Sequence, residues 1–260
     1  MQMRSLLFGI LAVIALLIGQ AKADEPVMML GTEAAFPPFN MKDTNGKLTG
    51  FDTEIGEAIC QQMKRKCEWV VTNWDGIIPA LLAKKFDAIL SSMSITEERQ
   101  KRVAFTKPYY RDSVSFMAKK GAGISDTSPE GLKGKTIGTQ RSSSQAAYLE
   151  DFYGSTSTAK YYDTIDQANL DLAAGRLDLV ISFRIPMSDW ISKSPEGSCC
   201  ELVGQPVVNT KYFGPGAGIA LRKDDTALLA EFNAAIDAVV KDGTYAKINA
   251  KYFPFSIYPK

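Results

Sequence analysis

The sequence predicts an α/β fold, and three observations predict it. Short apolar runs alternate with helix-patterned segments at roughly 20-residue spacing, the signature of strand–helix–strand units. The alternation completes one unit by Lys119, pauses in a Gly/Ser/Asp/Pro-rich stretch over 121–134, and restarts at Thr136. Each unit also offers the same local device, a strand end followed by a serine-rich loop and a helix start: Ser91–Arg99 in the first and Gln140–Gln145 in the second.

The chain opens with a basic Met1–Arg4, an apolar run from Leu6 to Ile18 and Ala21-Lys22-Ala23, the layout of a cleaved signal peptide over 1–23. The apolar run is shorter than the roughly 20 residues a membrane span requires. No cysteine follows Ala23, so no lipid-attachment signal is evident. The expected compartment is a bacterial periplasm.

Val27–Thr32 reads as the first strand, ending in Glu33-Ala34-Ala35-Phe36-Pro37-Pro38-Phe39, where two prolines exclude helix and central strand. Glu33 and Phe36 stand in that rigid loop as one acid and one aromatic; packing in the core is the competing role for Phe36. Asn45-Gly46 predicts a hairpin within 39–51. Asp52 is the expected cap of a helix through Ile55, Ile59 and Met63. Cys67–Val71 is the next strand, and Trp74 follows in an exposed-looking turn. Ile77–Ala83 reads as a short apolar helix, its Pro79 tolerated in the first turn. Phe86–Leu90 is a short buried strand.

The serine loop Ser91–Arg99 comes next. Ser94-x-x-Glu97 has capping-box spacing and predicts a helix N-terminus, where free N–H groups and the helix dipole favour an anion. Arg99 opposes that dipole, so it is either a solvated side chain or a fork for a carboxylate. Ser113–Lys119 is the strand that follows.

In the second unit Thr136–Thr139 is a strand. Ser142-x-x-Gln145 is a second capping-box candidate, opening a helix over Ala146–Phe152. Tyr161-Tyr162 lies in a strand, Thr164 caps a helix over Ile165–Ala174, Gly175 ends it, and Leu177–Ser182 is the next strand. Ser194–Gly204 reads as loop. Gly214–Leu221 turns into a strand, Asp224 or Asp225 begins an amphipathic helix, and a last helix lies around Tyr245–Tyr252.

The composition narrows the chemistry. Thirty basic and 29 acidic residues give a formal charge of +1, which suggests no nucleic acid or anionic membrane as partner. There is no histidine, so a Ser-His-Asp triad is impossible and the commonest metal ligand is missing. The four cysteines form no C-x-x-C pair, which argues against zinc, and no cofactor is implied. Cys60 and Cys67 can form a disulfide in an oxidising compartment, contributing about 2–3 kcal/mol. The state of Cys199-Cys200 is left open. Ligands of open α/β sheets bind beyond the carboxyl ends of the strands. Two such sheets facing each other would line a cleft with hydroxyls, N–H groups, Arg99, Glu33 and two flat walls, Phe36 and Trp74. That set suits a small zwitterion with a basic side chain.

Over essentially all of the exported chain these residues resemble the periplasmic solute-binding proteins for polar amino acids. The resemblance is nearest the lysine/arginine/ornithine- and histidine-binding proteins of ABC importers (bacterial solute-binding protein family 3). Gly31-Thr32-Glu33, Gly50-Phe51-Asp52, Trp74–Pro79, Phe86–Ile89, Ser91–Arg99, Ala173–Asp178, Lys211–Gly214, Leu221–Asp225 and Asp242–Tyr245 carry it.

The resemblance implies a type II two-lobed fold joined by two hinge strands. Lobe one would comprise 24–111 and 213–260, and lobe two 112–212. It further implies that Arg99 grips the ligand's α-carboxylate with Ser92, Ser94 and Ser144, while Ser91, Ser143 and Gln140 line the same pocket, Gln140 and Arg141 at its rim. Glu33 would meet the basic end of the side chain, Phe36 and Trp74 would sandwich it, and Cys60–Cys67 would be the family's disulfide. The implied partners are an amino acid and the membrane permease of an ABC importer, with the protein monomeric and not an enzyme. The rival classes are a ligand-sensing partner of a chemoreceptor or sensor kinase, and a dehydratase on the same fold. One departure stands out. Where the family usually has an aspartate for the α-ammonium, this chain has Phe183, followed by Arg184. Three consequences are open: a local substitute such as Ser182 or a backbone carbonyl, a ligand without a free α-ammonium, or weak binding of ordinary amino acids.

Overall fold

A computed structural model describes residues 27–259; the signal-peptide segment lies outside them. In chain order the strands are β1 (Met28–Thr32), β2 (Ala35–Phe36), β3 (Asn40–Lys42), β4 (Leu48–Thr49), β5 (Cys67–Val71), β6 (Ala88–Ile89), β7 (Ala104–Phe105), β8 (Val114–Lys119), β9 (Thr136–Gln140), β10 (Thr158–Tyr162), β11 (Leu179–Phe183), β12 (Cys200–Val207) and β13 (Ala220–Leu221). The helices are α1 (Phe51–Gln62), α2 (Ile77–Leu82), α3 (Glu97–Gln100), α4 (Ser144–Tyr153), α5 (Ile165–Ala173), α6 (Arg184–Lys193), α7 (Thr210–Phe213), α8 (Thr226–Lys241) and α9 (Thr244–Tyr252).

Two five-stranded sheets organise the molecule. The first runs β5-β1-β6-β13-β7 and the second β10-β9-β11-β8-β12. In the first, β5 and β6 flank β1 in parallel, and β13 pairs antiparallel with β6 and β7. In the second, β10 and β11 flank β9 in parallel, and β8 and β12 complete the sheet antiparallel. The chain passes between the sheets twice, after β7 and before β13. A single antiparallel bridge, Tyr110 to Ala217, ties the two crossings together. The Asn45-Gly46 hairpin forms between β3 and β4.

Both faces of each sheet are covered, and the sequence shows why. In β11, Leu179 and Ile181 face one core while Val180 faces another, the period-two alternation of a buried strand. Leu30 of β1 packs with Ile55 and Ile59 of α1 and Phe232 and Ile236 of α8, while Ile77 and Leu81 of α2 cover the opposite face with Phe86. In the second sheet, Ile165 and Leu172 of α5 lie with Met187 of α6, and Leu149 and Tyr153 of α4 lie opposite. A disulfide joins Cys60 to Cys67, tying the end of α1 to β5. Cys199 and Cys200 are also joined to each other.

Several local expectations change. Asp52 is not the cap of α1: Gly50 holds that position at φ 120°, which spares a side chain a clash with the Phe39 carbonyl, and Asp52 lies inside the first turn. Both serine capping boxes slip. The hydroxyl that caps α3 is Thr96, because Ser94 is held in a bridge to Ala217; the hydroxyl that caps α4 is Ser143, because Ser142 adopts φ 55°. Thr164 does form a capping box with Gln167. Residues 200–204, read as loop, belong to β12, whose pairing with β8 is long-range and whose Gly204 and Pro206 hide a strand pattern.

Candidate functional site

The carboxyl ends of β1 and β6 face those of β9 and β11 across a narrow cleft. Glu33, Phe36, Trp74, Ser91, Ser92, Ser94, Arg99, Gln140, Ser143 and Ser144 all line the one cavity there. Thr139, Gln145, Ser182 and Phe183 complete its wall. The free space is about 20 Å³, room for on the order of one water molecule. A ligand of amino-acid size therefore needs the two sheets to part, or the cavity side chains to move.

The first wall is built on a buried carboxylate. Asp52 accepts hydrogen bonds from Asn40 Nδ2 (2.8 Å), Ser92 Oγ (2.8 Å) and Tyr109 OH (2.8 Å). Asn40 in turn accepts from the N–H of Ala34, and Tyr109 OH accepts from the N–H of Ser92. The network therefore fixes both loops that meet at the cavity, at Ala34 and at Ser92. Burial pushes the Asp52 carboxyl up to about 6 against the pull of these donors. Ser91 Oγ accepts from the N–H of Glu33 at 3.0 Å and so sets the start of the Glu33 loop. Sequence reasoning placed Asp52 at a helix cap and missed this role; its signal was a carboxylate one residue after Gly50-Phe51, at the start of a buried helix face.

Arg99 extends from the first turn of α3. One guanidinium nitrogen donates to the Ser94 carbonyl (3.1 Å), the other to the Ser142 carbonyl across the cleft (3.4 Å), and the group lies 5.1 Å from the Trp74 ring centre. Among the described residues it pairs with no carboxylate. Burial lowers its pKa to about 10, so it remains charged at neutral pH. Trp74 is buried rather than exposed, at 9% relative accessibility, and its indole N–H donates to the same Ser142 carbonyl.

Across the cleft, Ser143 Oγ donates to the Gln140 carbonyl and accepts from the N–H of Ala146. Its hydroxyl is therefore spent on positioning α4. The N–H groups of Ser144 and Gln145 in the first turn have no intrahelical partner. Gln140 reaches over to donate to Glu33, while burial pushes the Glu33 carboxyl up to about 7. Phe183 ends β11 and sits at the N-cap of α6, which receives no side-chain bond from it. Among the described residues, Glu33 is the one carboxylate in the cavity wall.

Two α/β lobes linked by two crossings thus enclose a cleft that holds a guanidinium and a buried acid. The chain belongs to the bacterial extracellular solute-binding proteins, family 3, whose family model matches residues 28–255. It is 44% identical over 253 residues to the L-arginine-binding protein of Pseudomonas aeruginosa, covering 97% of each chain. The octopine-binding periplasmic protein of Rhizobium meliloti is 31% identical over the full length of both chains. A solved structure of an ancestral arginine-binding protein bound to arginine superposes with a TM-score of 0.81 at 36% identity, covering 88% of this chain and 99% of that one.

Proposed function

We propose that the protein captures a basic amino acid or amino-acid derivative in the periplasm, after removal of residues 1–23, and delivers it to the permease of an ABC importer as a monomer. Lobe one, 24–111 with 213–260, would hold the ligand's carboxylate on Arg99, and lobe two, 112–212, would close over it. The observation that carries this reading is Arg99: a half-buried guanidinium at the cleft, over the Trp74 ring and bound only to carbonyls among the described residues. A bidentate carboxylate is the partner that best compensates such a group. Glu33 is the counter-charge for the ligand's basic end, and Phe36 and Trp74 are its apolar walls. The similarity to an arginine-binding and an octopine-binding protein supports a ligand with a basic side chain.

Enzyme chemistry has less to work with. Burial pushes the Glu33 carboxyl up to about 7, yet among the described residues the cavity wall holds no second acid to share proton transfer with it.

Titration calorimetry with arginine, lysine, ornithine, histidine and α-N-substituted arginines tests the reading. Arg99→Ala is expected to weaken the best ligand by roughly thirtyfold or more while leaving the circular dichroism spectrum unchanged, as expected for loss of a charge pair worth roughly 2–5 kcal/mol. Undiminished binding by that variant would refute the carboxylate assignment.

A further inference from the structure

A second and much larger cavity lies on the other side of the crossings from the cleft. Its volume is about 1240 Å³, and it shares no lining residue with the cleft cavity. Residues 111–114 of the first crossing and 207–210 of the second line it, with α6 on one side and the segment after α9 on the other. Consecutive residues face the two cavities: Phe183 lines the cleft and Arg184 lines this groove.

The groove is apolar where it meets water. Val208 is 87% and Phe255 57% exposed, the two most exposed large apolar side chains among the described residues. One stands on the second crossing, the other follows α9, and both line the groove. Apolar side chains left open in one concavity mark a binding surface. The charges of the groove are also unevenly spent. Lys193 and Asp189 pair with each other at 2.6 Å. Asp112 is turned to the backbone, accepting from the N–H groups of Ser113 and Ile185. Two guanidiniums remain. Arg111 Nε donates to the Pro215 carbonyl at 2.9 Å, and Arg184 donates to Ser115 Oγ at 3.4 Å. Among the described residues neither forms an ion pair, although Asp112 is near Arg184.

We infer that this groove is a second binding site, for a carboxylate carried on an alkyl or aryl body, and that its occupant favours the closed cleft. The carboxylate meets Arg111 and Arg184, whose planar forks fit it. The body covers Val208 and Phe255 and removes their surface from water. The coupling follows from the position of the groove. The cleft opens by rotation about the crossings. Parting the sheets on one side of that axis brings α6 and the segment after α9 together on the other. With about 20 Å³ free in the cleft and about 1240 Å³ in the groove, the chain stands at the closed end of this motion. An occupant of the groove resists the approach of its walls and so binds the closed form more tightly. Linkage then requires the ligand of the cleft and the occupant of the groove to strengthen each other. The coupling rests on the reading of the cleft given above; the site itself does not.

Calorimetry with octanoate and 1-octanol, with and without L-arginine, tests this. Octanoate is expected to bind wild type and Arg99→Ala alike, at one site, and about tenfold tighter than 1-octanol, the difference a charged hydrogen bond makes. Arg184→Gln should remove most of that difference, and Val208→Asp, at an exposed position where folding is not at risk, should weaken octanoate by roughly tenfold or more. Saturating octanoate should tighten L-arginine by roughly fivefold or more. Failure of octanoate to bind the wild type overturns the inference and leaves the proposed function standing. Octanoate that competes with L-arginine and is lost in Arg99→Ala sits in the cleft, which also overturns it. Equal binding of octanoate and 1-octanol removes the carboxylate from the assignment. Octanoate binding that leaves the affinity for L-arginine unchanged overturns the coupling.

Discussion

Burial holds the Glu33 carboxyl up at about 7, and the Gln140 amide pulls it the other way. A cationic ligand group bound at Glu33 needs the ionised form. Below pH 7 a proton must therefore leave Glu33 as the ligand arrives, and affinity for a basic ligand falls by up to about tenfold per pH unit. Dissociation constants measured from pH 8 to pH 5.5 should show this fall, and Glu33→Gln should abolish it while weakening binding throughout. A flat profile in the wild type would mean that the basic end of the ligand is met elsewhere. Arg99 contributes nothing to such a profile, since at about 10 its pKa lies well above the range tested. Much of this residue inventory was legible in the sequence. A lone acid in a proline-rigid loop, and an arginine against a helix dipole, are departures from local preference visible without coordinates. Asp52 was not legible, because its three donors come from Asn40, Ser92 and Tyr109, far apart in the chain.

At the scale of elements, the two serine loops were legible as helix starts but not in their registers. A capping box is a local pattern, and it is overruled when a long-range contact claims the hydroxyl or the backbone. Ser94 is drawn into its bridge with Ala217, so Thr96 accepts from the N–H of Arg99 instead. The φ of Ser142 is 55°, which turns its carbonyl toward Trp74 and Arg99 and passes the capping role to Ser143. The slip matters for function, because it is the Ser142 carbonyl, not its hydroxyl, that meets the other lobe. Ser143→Ala is expected to cost about 1 kcal/mol of stability, and Ser142→Ala less than about 0.5 kcal/mol. Urea midpoints of the two variants check this; the reverse order would restore Ser142 as the cap. Helix α6 went unread for a related reason. Its cap position is Phe183, and the carboxylate that serves its first turn comes from Asp112, which accepts from the N–H of Ile185 at 2.9 Å.

Across the whole molecule, the same groups that would hold a ligand hold the lobes together: Gln140 to Glu33, and Arg99 and Trp74 to the Ser142 carbonyl. A ligand that engages Glu33 and Arg99 must displace these bonds, so closure and binding draw on one set of side chains. The crossing behind the cleft carries its own buried acid. Asp112 accepts from the N–H groups of Ser113 and Ile185, and burial pushes its carboxyl up to about 7 despite nearby Arg184. Asp52, Glu33 and Asp112 therefore share a direction: each is a stronger base in the folded chain than in the unfolded one. Between their folded values and their ordinary values the native state binds more protons, so stability rises as pH falls. Their stabilising contribution is complete below their ordinary range and is lost as pH rises through 6 to 7. Groups held low, such as Glu54 with Lys251 and Asp171 with Arg176, act oppositely, but only as pH falls toward about 4. The unliganded protein is thus expected to be more stable at pH 5.5 than at pH 8, by on the order of 2–5 kcal/mol. Urea midpoints at the two pH values measure it. Asp112→Asn should reduce the difference, because it removes one of the three titrating groups. A midpoint that is unchanged or lower at pH 5.5 would show that the buried acids of the cleft and the crossing do not carry the proton linkage their burial implies.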